Sequence, residues 1–295
     1  MNDFRIPLGE AVQEFTSFLL TNVSWLFDAL RGFFSSFYDL IELALAGPPF
    51  WVVGLVLVAI AFAAKGWKLA LGTAAGIALV VGLDQWDASM ESLALVVVAA
   101  SIAIAVSVPL GIWAASSSTV SVVLRPILDF MQTMPAFVYL IPAILLFRVG
   151  IVPGIVATIV FAMAPGARLT ELGIRGVDKE VVEAGYAFGA SPTRVLRQIQ
   201  LPLAMPTILA GINQIIMLSL SMVVIAGMVG AGGLGSQVVS ALQRVDVGKG
   251  FEAGLAVVLL AIYLDRVTGS LGTRKGGVIS SVVARLRPAR GPVSF

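Results

Sequence analysis

The stretch DKEVVEAGYAFGASPTRVLRQIQLP, residues 178–202, is a long polar interruption in a chain that is otherwise strongly apolar. Its residues encode two short helices. Asp178 is placed to N-cap the first, with Glu180 and Glu183 early in it, near the positive end of the helix dipole. Gly189 is placed to end it, because glycine enters the left-handed region without steric cost. Ser191 can cap the second helix, Pro192 suits its first position, and Pro202 stops it. On these residues alone the segment is either a docking element exposed at one face of a membrane or an ordinary amphipathic interfacial loop.

The surrounding chain supplies the membrane. Of its 295 residues, 58% are hydrophobic and only 12% charged, where a soluble domain carries roughly 25% charged residues. Apolar runs recur near spanning length, so the fold class is an all-α polytopic membrane protein embedded in the lipid bilayer. Seven spans are expected, at 49–64, 68–83, 90–115, 127–147, 151–167, 206–230 and 251–267. Pro109 should kink the third. Pro135 and Pro142 fall in the fourth, which tolerates them if neighbours satisfy the freed carbonyls. The chain has no Cys and no His. That closes thiol, imidazole and most transition-metal chemistry, so no catalytic residue, metal or cofactor is expected. A formal charge of +2 makes nucleic acid an improbable partner.

Charge placement sets orientation. With residues 168–205 in the cytoplasm, 14 of the 19 Lys and Arg residues fall inside and 5 outside, as the positive-inside rule requires. The N-terminus is then outside and the C-terminus inside. Residues 1–47 show helical spacing of Leu8, Val12, Phe15, Leu19, Val23, Leu26, Leu30, Phe33, Phe37, Leu40 and Ile41. One or two amphipathic helices are expected there, either on a membrane surface or packed on the protein's own spans.

Glu183-Ala184-Gly185, then Gly189, Ile199, Leu201 and Pro202, resemble the EAA motif of ATP-binding cassette importer permeases. That pattern is Glu-Ala-Ala, three residues, Gly, nine residues, Ile, one residue, Leu-Pro. The chain departs from it at Gly185, where the family has Ala; a small residue is kept. The likeness narrows to glycine betaine/proline (quaternary ammonium) permeases through Thr133–Pro142, Leu201–Ile208, Leu220–Ala226 and Leu264-Asp265-Arg266, and it covers roughly residues 85–270.

The resemblance implies a five-span, MetI-like permease core over 85–270 carrying a cytoplasmic coupling loop at 168–205. Outside the core stand an external amphipathic segment at 1–47, two accessory spans at 48–84 and a cytoplasmic tail at 271–295. It implies a bacterial or archaeal inner-membrane importer for compatible solutes such as glycine betaine or proline, giving osmoprotection. Choline, carnitine or an amino acid is the alternative cargo, and an ion-coupled secondary transporter the alternative class. The implied partners are a cytoplasmic ATPase dimer, an extracytoplasmic substrate-binding protein and a second permease copy, as a homodimer. The chain has no phosphate loop of the form G-x-x-x-x-G-K-[ST], so it is not itself the ATP-hydrolysing enzyme. Glu183, Ala184, Gly185, Gly189, Ala190, Ser191, Ile199, Leu201 and Pro202 are the expected ATPase-coupling residues.

Phe130, Phe137 and Tyr139 could hold a quaternary ammonium through cation–π contacts, although aromatic residues in spans more often face lipid or pack. With Pro135 and Met222 they form the candidate substrate pathway. Gly230-Ala231-Gly232-Gly233-Leu234-Gly235 fits G-x-G-x-x-G formally. It ends an apolar run with no strand before it, so it reads as a flexible bend rather than a nucleotide loop. Asp129, Glu171 and Asp265 lie near span ends beside Arg125, Arg168 and Arg266. They are expected to form ion pairs or snorkel rather than to relay protons.

Overall fold

The computed structural model describes residues 8–272, and every regular element among them is helical. In chain order these are α1 (Leu8–Asn22), α2 (Ser24–Ala46), α3 (Phe50–Lys65), α4 (Trp67–Gly82), α5 (Trp86–Ser116), α6 (Ser118–Thr133), α7 (Ala136–Phe147) and α8 (Ile151–Arg175). They continue with α9 (Lys179–Ala187), α10 (Pro192–Val195), a π-helical turn (Leu196–Gln200), α11 (Leu201–Gly227), α12 (Gly233–Arg244) and α13 (Val247–Gly272). Of the expected tail, only the last two residues of α13 are described.

The centre is a bundle of α5, α8 and α11. Val96, Ala99 and Ala103 of α5, Ile155 and Ala162 of α8, and Ile215, Val223 and Ala226 of α11 share one buried cluster. Small residues predominate because apolar side chains gain little from leaving lipid; close backbone packing must hold such helices together. At Gly111 a Cβ would stand 2.5 Å from the Ala167 carbonyl oxygen, so α5 and α8 touch backbone to backbone there.

Four helical stretches are long and apolar enough to cross a membrane: Trp86–Ser116, Ile151–Arg175, Pro192–Gly227 and Val247–Ser270. Two bent pairs, α2 with α3 at 97° and α6 with α7 at 98°, raise the number to six if each is one span, and α4 is a shorter apolar helix. The expected fourth span is therefore not one rod. The chain turns at Met134, whose ψ of 133° is extended, because the ring of Pro135 disfavours the α-conformation in the residue before it. Pro142, by contrast, sits inside α7.

The expected fifth span runs eight residues further, to Arg175. Pro202 does not stop a helix either. Chain from Pro192 to Gly227 is one helical stretch, and the Leu201 N–H reaches back five residues to the Leu196 carbonyl. This π turn widens the helix just before Pro202, so the ring escapes the clash it would meet in a regular α-helix. The loop expected over 168–205 thus shrinks to a short turn and α9, standing between two continuous helices.

Along α2, Phe34, Phe37, Tyr38, Ile41 and Leu45 pack on the central bundle, while Leu26, Phe33, Leu40 and Leu43 are exposed. One face of α2 thus packs on the protein's own helices, and the other is exposed. The side chains of Leu8 and Phe15 lie outside the described residues.

Candidate functional site

The polar stretch forms a helical turn braced at both ends. Asp178 Oδ1 accepts the Glu180 N–H at 2.9 Å, satisfying an N-terminal donor of α9. At the other end Gly189 N–H donates to the Tyr186 carbonyl at 2.9 Å and Ala190 N–H to the Gly185 carbonyl at 3.1 Å. That pair of bonds is a Schellman motif, and it needs a left-handed residue at its centre. Gly189 supplies it with φ +78°. Pro192 occupies the first position of α10, as expected; Ser191 precedes it in extended conformation, but its side chain makes no capping bond.

The turn is also packed. Val195 is fully buried. Val182 of α9, Leu196 and Leu201 rest against Ile174, Val177, Ala204 and Ile208, which ties α9 to the ends of α8 and α11. A Cβ at Gly185 would lie 2.6 Å from Ile199 Cδ1 and 3.4 Å from Val195 Cγ2. The side chain of Ile199 therefore fills the volume that a Cβ at position 185 would claim. Ala190, Ile199 and Leu201 are half-buried, and Glu183, Ala184, Ser191 and Pro202 are exposed.

Sequence reasoning missed the outward face of this turn. Phe188 is 92% exposed and Tyr186 47%, with Val181 beside them in the sequence of α9 also exposed. A cavity of about 480 Å³ lies under α9, bounded by Leu172, Val177, Val181, Leu203 and Thr207. An apolar residue inside a polar loop would have been the signal.

Beside the turn, Glu171 is buried and joins α6 to α8. Its Oε1 accepts Ser121 Oγ at 2.6 Å, Arg125 Nη2 at 3.1 Å and Arg175 Nε at 2.9 Å. Arg175 Nη2 also donates to the Ala114 carbonyl at 2.8 Å. Asp129 pairs with Arg168. Asp265 accepts Asn213 Nδ2 at 3.4 Å and stands 3.8 Å from Arg266. All three carboxylates have cationic neighbours, as the sequence reading expected.

The five pathway candidates do not converge. Tyr139 and Met222 belong to one small cluster with Leu140, Ala157 and Val229, and the Tyr139 hydroxyl donates to the Met131 carbonyl across the α6–α7 bend. Phe130, Pro135 and Phe137, at and beside that bend, are exposed. The glycine-rich run is not a flexible bend. Gly233 N–H donates to Glu91 Oε2 at 2.6 Å and Leu234 N–H to Ser92 Oγ at 2.8 Å. Gly227 and Gly235 approach so closely that a Cβ on either would collide with backbone.

Comparison with known proteins decides the class. The family described as binding-protein-dependent transport system inner membrane component matches residues 107–275. The chain belongs to this family. The permease is 46% identical to the glycine betaine transport system permease protein OpuAB of Bacillus subtilis, over 92% of this chain and 96% of that protein. It is 45% identical to the glycine betaine/carnitine transport permease protein GbuB of Listeria monocytogenes, over 89% and 94%. It is 43% identical to the glycine betaine/proline betaine permease protein ProW of Escherichia coli, over 90% and 75%. An alignment of 271 residues cannot fit within 85–270, so the likeness reaches further into the N-terminal helices than the sequence motifs suggested. The inward-facing MetNI methionine ABC transporter shares the fold, with a TM-score of 0.57 at 20% identity over 62% of the permease and 91% of that chain.

Proposed function

We propose that the permease forms the translocation pathway of an ATP-driven importer for glycine betaine-type compatible solutes. The observation that carries this reading is the α9 turn, capped at both ends, packed on α8 and α11, and presenting Tyr186 and Phe188 outward. It is built to transmit a push from a cytoplasmic ATPase dimer into two spans without deforming. Glu183, Ala184, Gly185, Gly189, Ala190, Ser191, Ile199, Leu201 and Pro202 shape it; Phe188 and Tyr186 make the contact. ATP is hydrolysed by that partner, an extracytoplasmic binding protein delivers the solute, and a second copy of this chain completes the pathway. The N-terminus lies outside and the C-terminus in the cytoplasm, with α2 at the outer membrane surface and α3 and α4 as accessory spans.

The cargo assignment rests on the names of relatives 43–46% identical. A zwitterion suits the chain, because a charged solute would call for a buried counter-ion in the pathway. The test is uptake by the complex of permease, ATPase and binding protein in proteoliposomes. Glycine betaine is expected to accumulate with ATP, ahead of proline, choline and carnitine. Transport of a cationic or anionic solute with betaine ignored would overturn the cargo while leaving the importer class standing. Uptake driven by an ion gradient without ATP would overturn the class.

A further inference from the structure

Between α4 and the α5–α13 pair the structure leaves a cavity of about 260 Å³. Leu57, Gly72, Gly76, Trp86, Met90 and Leu259 are among its walls. Three lining residues carry a hydroxyl: Tyr263 Oη donates to the Leu57 carbonyl at 3.3 Å, Ser89 Oγ donates to the Gln85 carbonyl at 2.6 Å, and Thr73 is the third. Water needs two to four polar partners to settle in such a space, and the rest of the lining is apolar, so water finds few partners here. An apolar void destabilises a fold in proportion to its volume, and one of ~150 Å³ already accommodates a benzene-sized solute. An apolar occupant would recover that loss.

The shape says what. The floor is deep, with Met90 only 2% exposed. At the rim, Gly72 and Ile262 are exposed, and Leu71 and Val258 beside them in sequence are exposed as well. The slot thus opens onto the apolar surface that a multi-pass protein turns to the bilayer. It is absent of charge along its walls, so no headgroup is held inside. We infer that this cavity is a binding site for one acyl chain of a bilayer phospholipid, entering between α4 and α13 past Gly72 and ending against Met90. The chain fills the gap between the accessory helices and the central bundle and becomes part of their packing. This inference stands independently of the transported solute.

The experiment uses the full importer complex in liposomes containing a phosphatidylcholine with a diazirine on one acyl chain. After irradiation, lipid adducts on the permease are mapped by mass spectrometry. Adducts are expected at Met90 and Leu259 as well as at exposed positions such as Leu55 and Leu71. Gly72 has no heavy atom within 4 Å of a would-be Cβ, so Gly72→Phe can place its ring in the entrance. That variant is expected to lower the Met90 adduct at least tenfold while leaving Leu55 labelled. Persistent labelling at Leu55 and retained ATPase co-purification show that the variant has folded. Met90 unlabelled in the wild type, or labelled equally in Gly72→Phe, would overturn the assignment. A wild-type cavity sealed by a second copy of the chain would give the first of these results.

Discussion

At the scale of single residues, Gly189 and Phe188 divide the work of the α9 turn. Gly189 sets its shape. At φ +78° a β-branched side chain is strained by about 1 kcal/mol or more, and the two Schellman bonds through Gly189 and Ala190 would loosen with it. Gly189→Val is expected to insert and assemble yet lose most ATP-coupled uptake; wild-type uptake in that variant would remove the turn from the mechanism. Phe188 contributes nothing to the packing of this chain at 92% exposure. Phe188→Ala should leave the melting temperature of the solubilised permease unchanged, since exposed sites usually lie within about 0.5 kcal/mol. It should nevertheless weaken ATPase co-purification and stimulation. A variant that bound the ATPase as tightly as wild type would place the contact elsewhere. Gly185 shows a different constraint: its missing Cβ is the room that Ile199 uses, so motif and packing are read together or not at all.

At the scale of elements, the caps were legible because capping is local. Asp178 reaches two residues forward and Gly189 closes bonds three and five residues long, all within the span of a sequence motif. The continuation of helix through Pro202 was not legible. It depends on the π turn at Leu196–Gln200, and a proline read alone signals an end. The break of the fourth span was written in Met134-Pro135, but the apolar run on both sides outweighed it. The facing of the pathway aromatics was not legible for a related reason: shared apolar character says that Phe130 and Tyr139 lie in apolar helices, not which way each one faces. Glu171 was recognised as paired but not as the joint between elements. It gathers donors from α6 and from its own helix, and Arg175 carries the link to α5. Replacing it by Ala leaves Ser121 and the exposed Arg125 without this acceptor, and Arg175 with the Ala114 carbonyl alone. The expected loss is about 1–3 kcal/mol, held down by the exposure of the arginines. Asp129, exposed and paired with Arg168, should lose less than about 1 kcal/mol in Asp129→Ala. Thermal unfolding of the two variants in detergent compares them, and equal losses would deny Glu171 its role.

At the scale of the whole molecule, the structure separates two ends and charge distinguishes them. The carboxyl ends of α5 and α8 meet at Ala114, Glu171 and Arg175, beside the α9 turn. The amino end of α5 meets α12 through Glu91 and Gly233, and α3 through the Phe50–Trp86 ring contact. A helix of 31 residues is about 46 Å long, enough to place these ends on opposite sides of a bilayer about 30 Å thick in its core. Among the described residues, the end bearing α9 holds Lys65, Lys68, Arg125, Arg168, Arg175, Lys179, Arg194, Arg197 and Arg266. The opposite end holds only Arg31, Arg148, Arg244 and Lys249, among a larger number of carboxylates that includes Asp39, Glu42, Asp87 and Glu91. Loops rich in Lys and Arg remain in the cytoplasm during insertion, which supports the proposal that the α9 end faces inward. The absence of native cysteine makes a direct check possible in intact cells. Asp87→Cys should react with a membrane-impermeant maleimide added outside, and Phe188→Cys only after the membrane is permeabilised. The reverse pattern would invert the molecule and put the α9 turn out of reach of any cytoplasmic ATPase. Labelling of both sites from outside would instead mean that α5 does not cross the bilayer, and the arrangement of spans would have to be redrawn around α8 and α11.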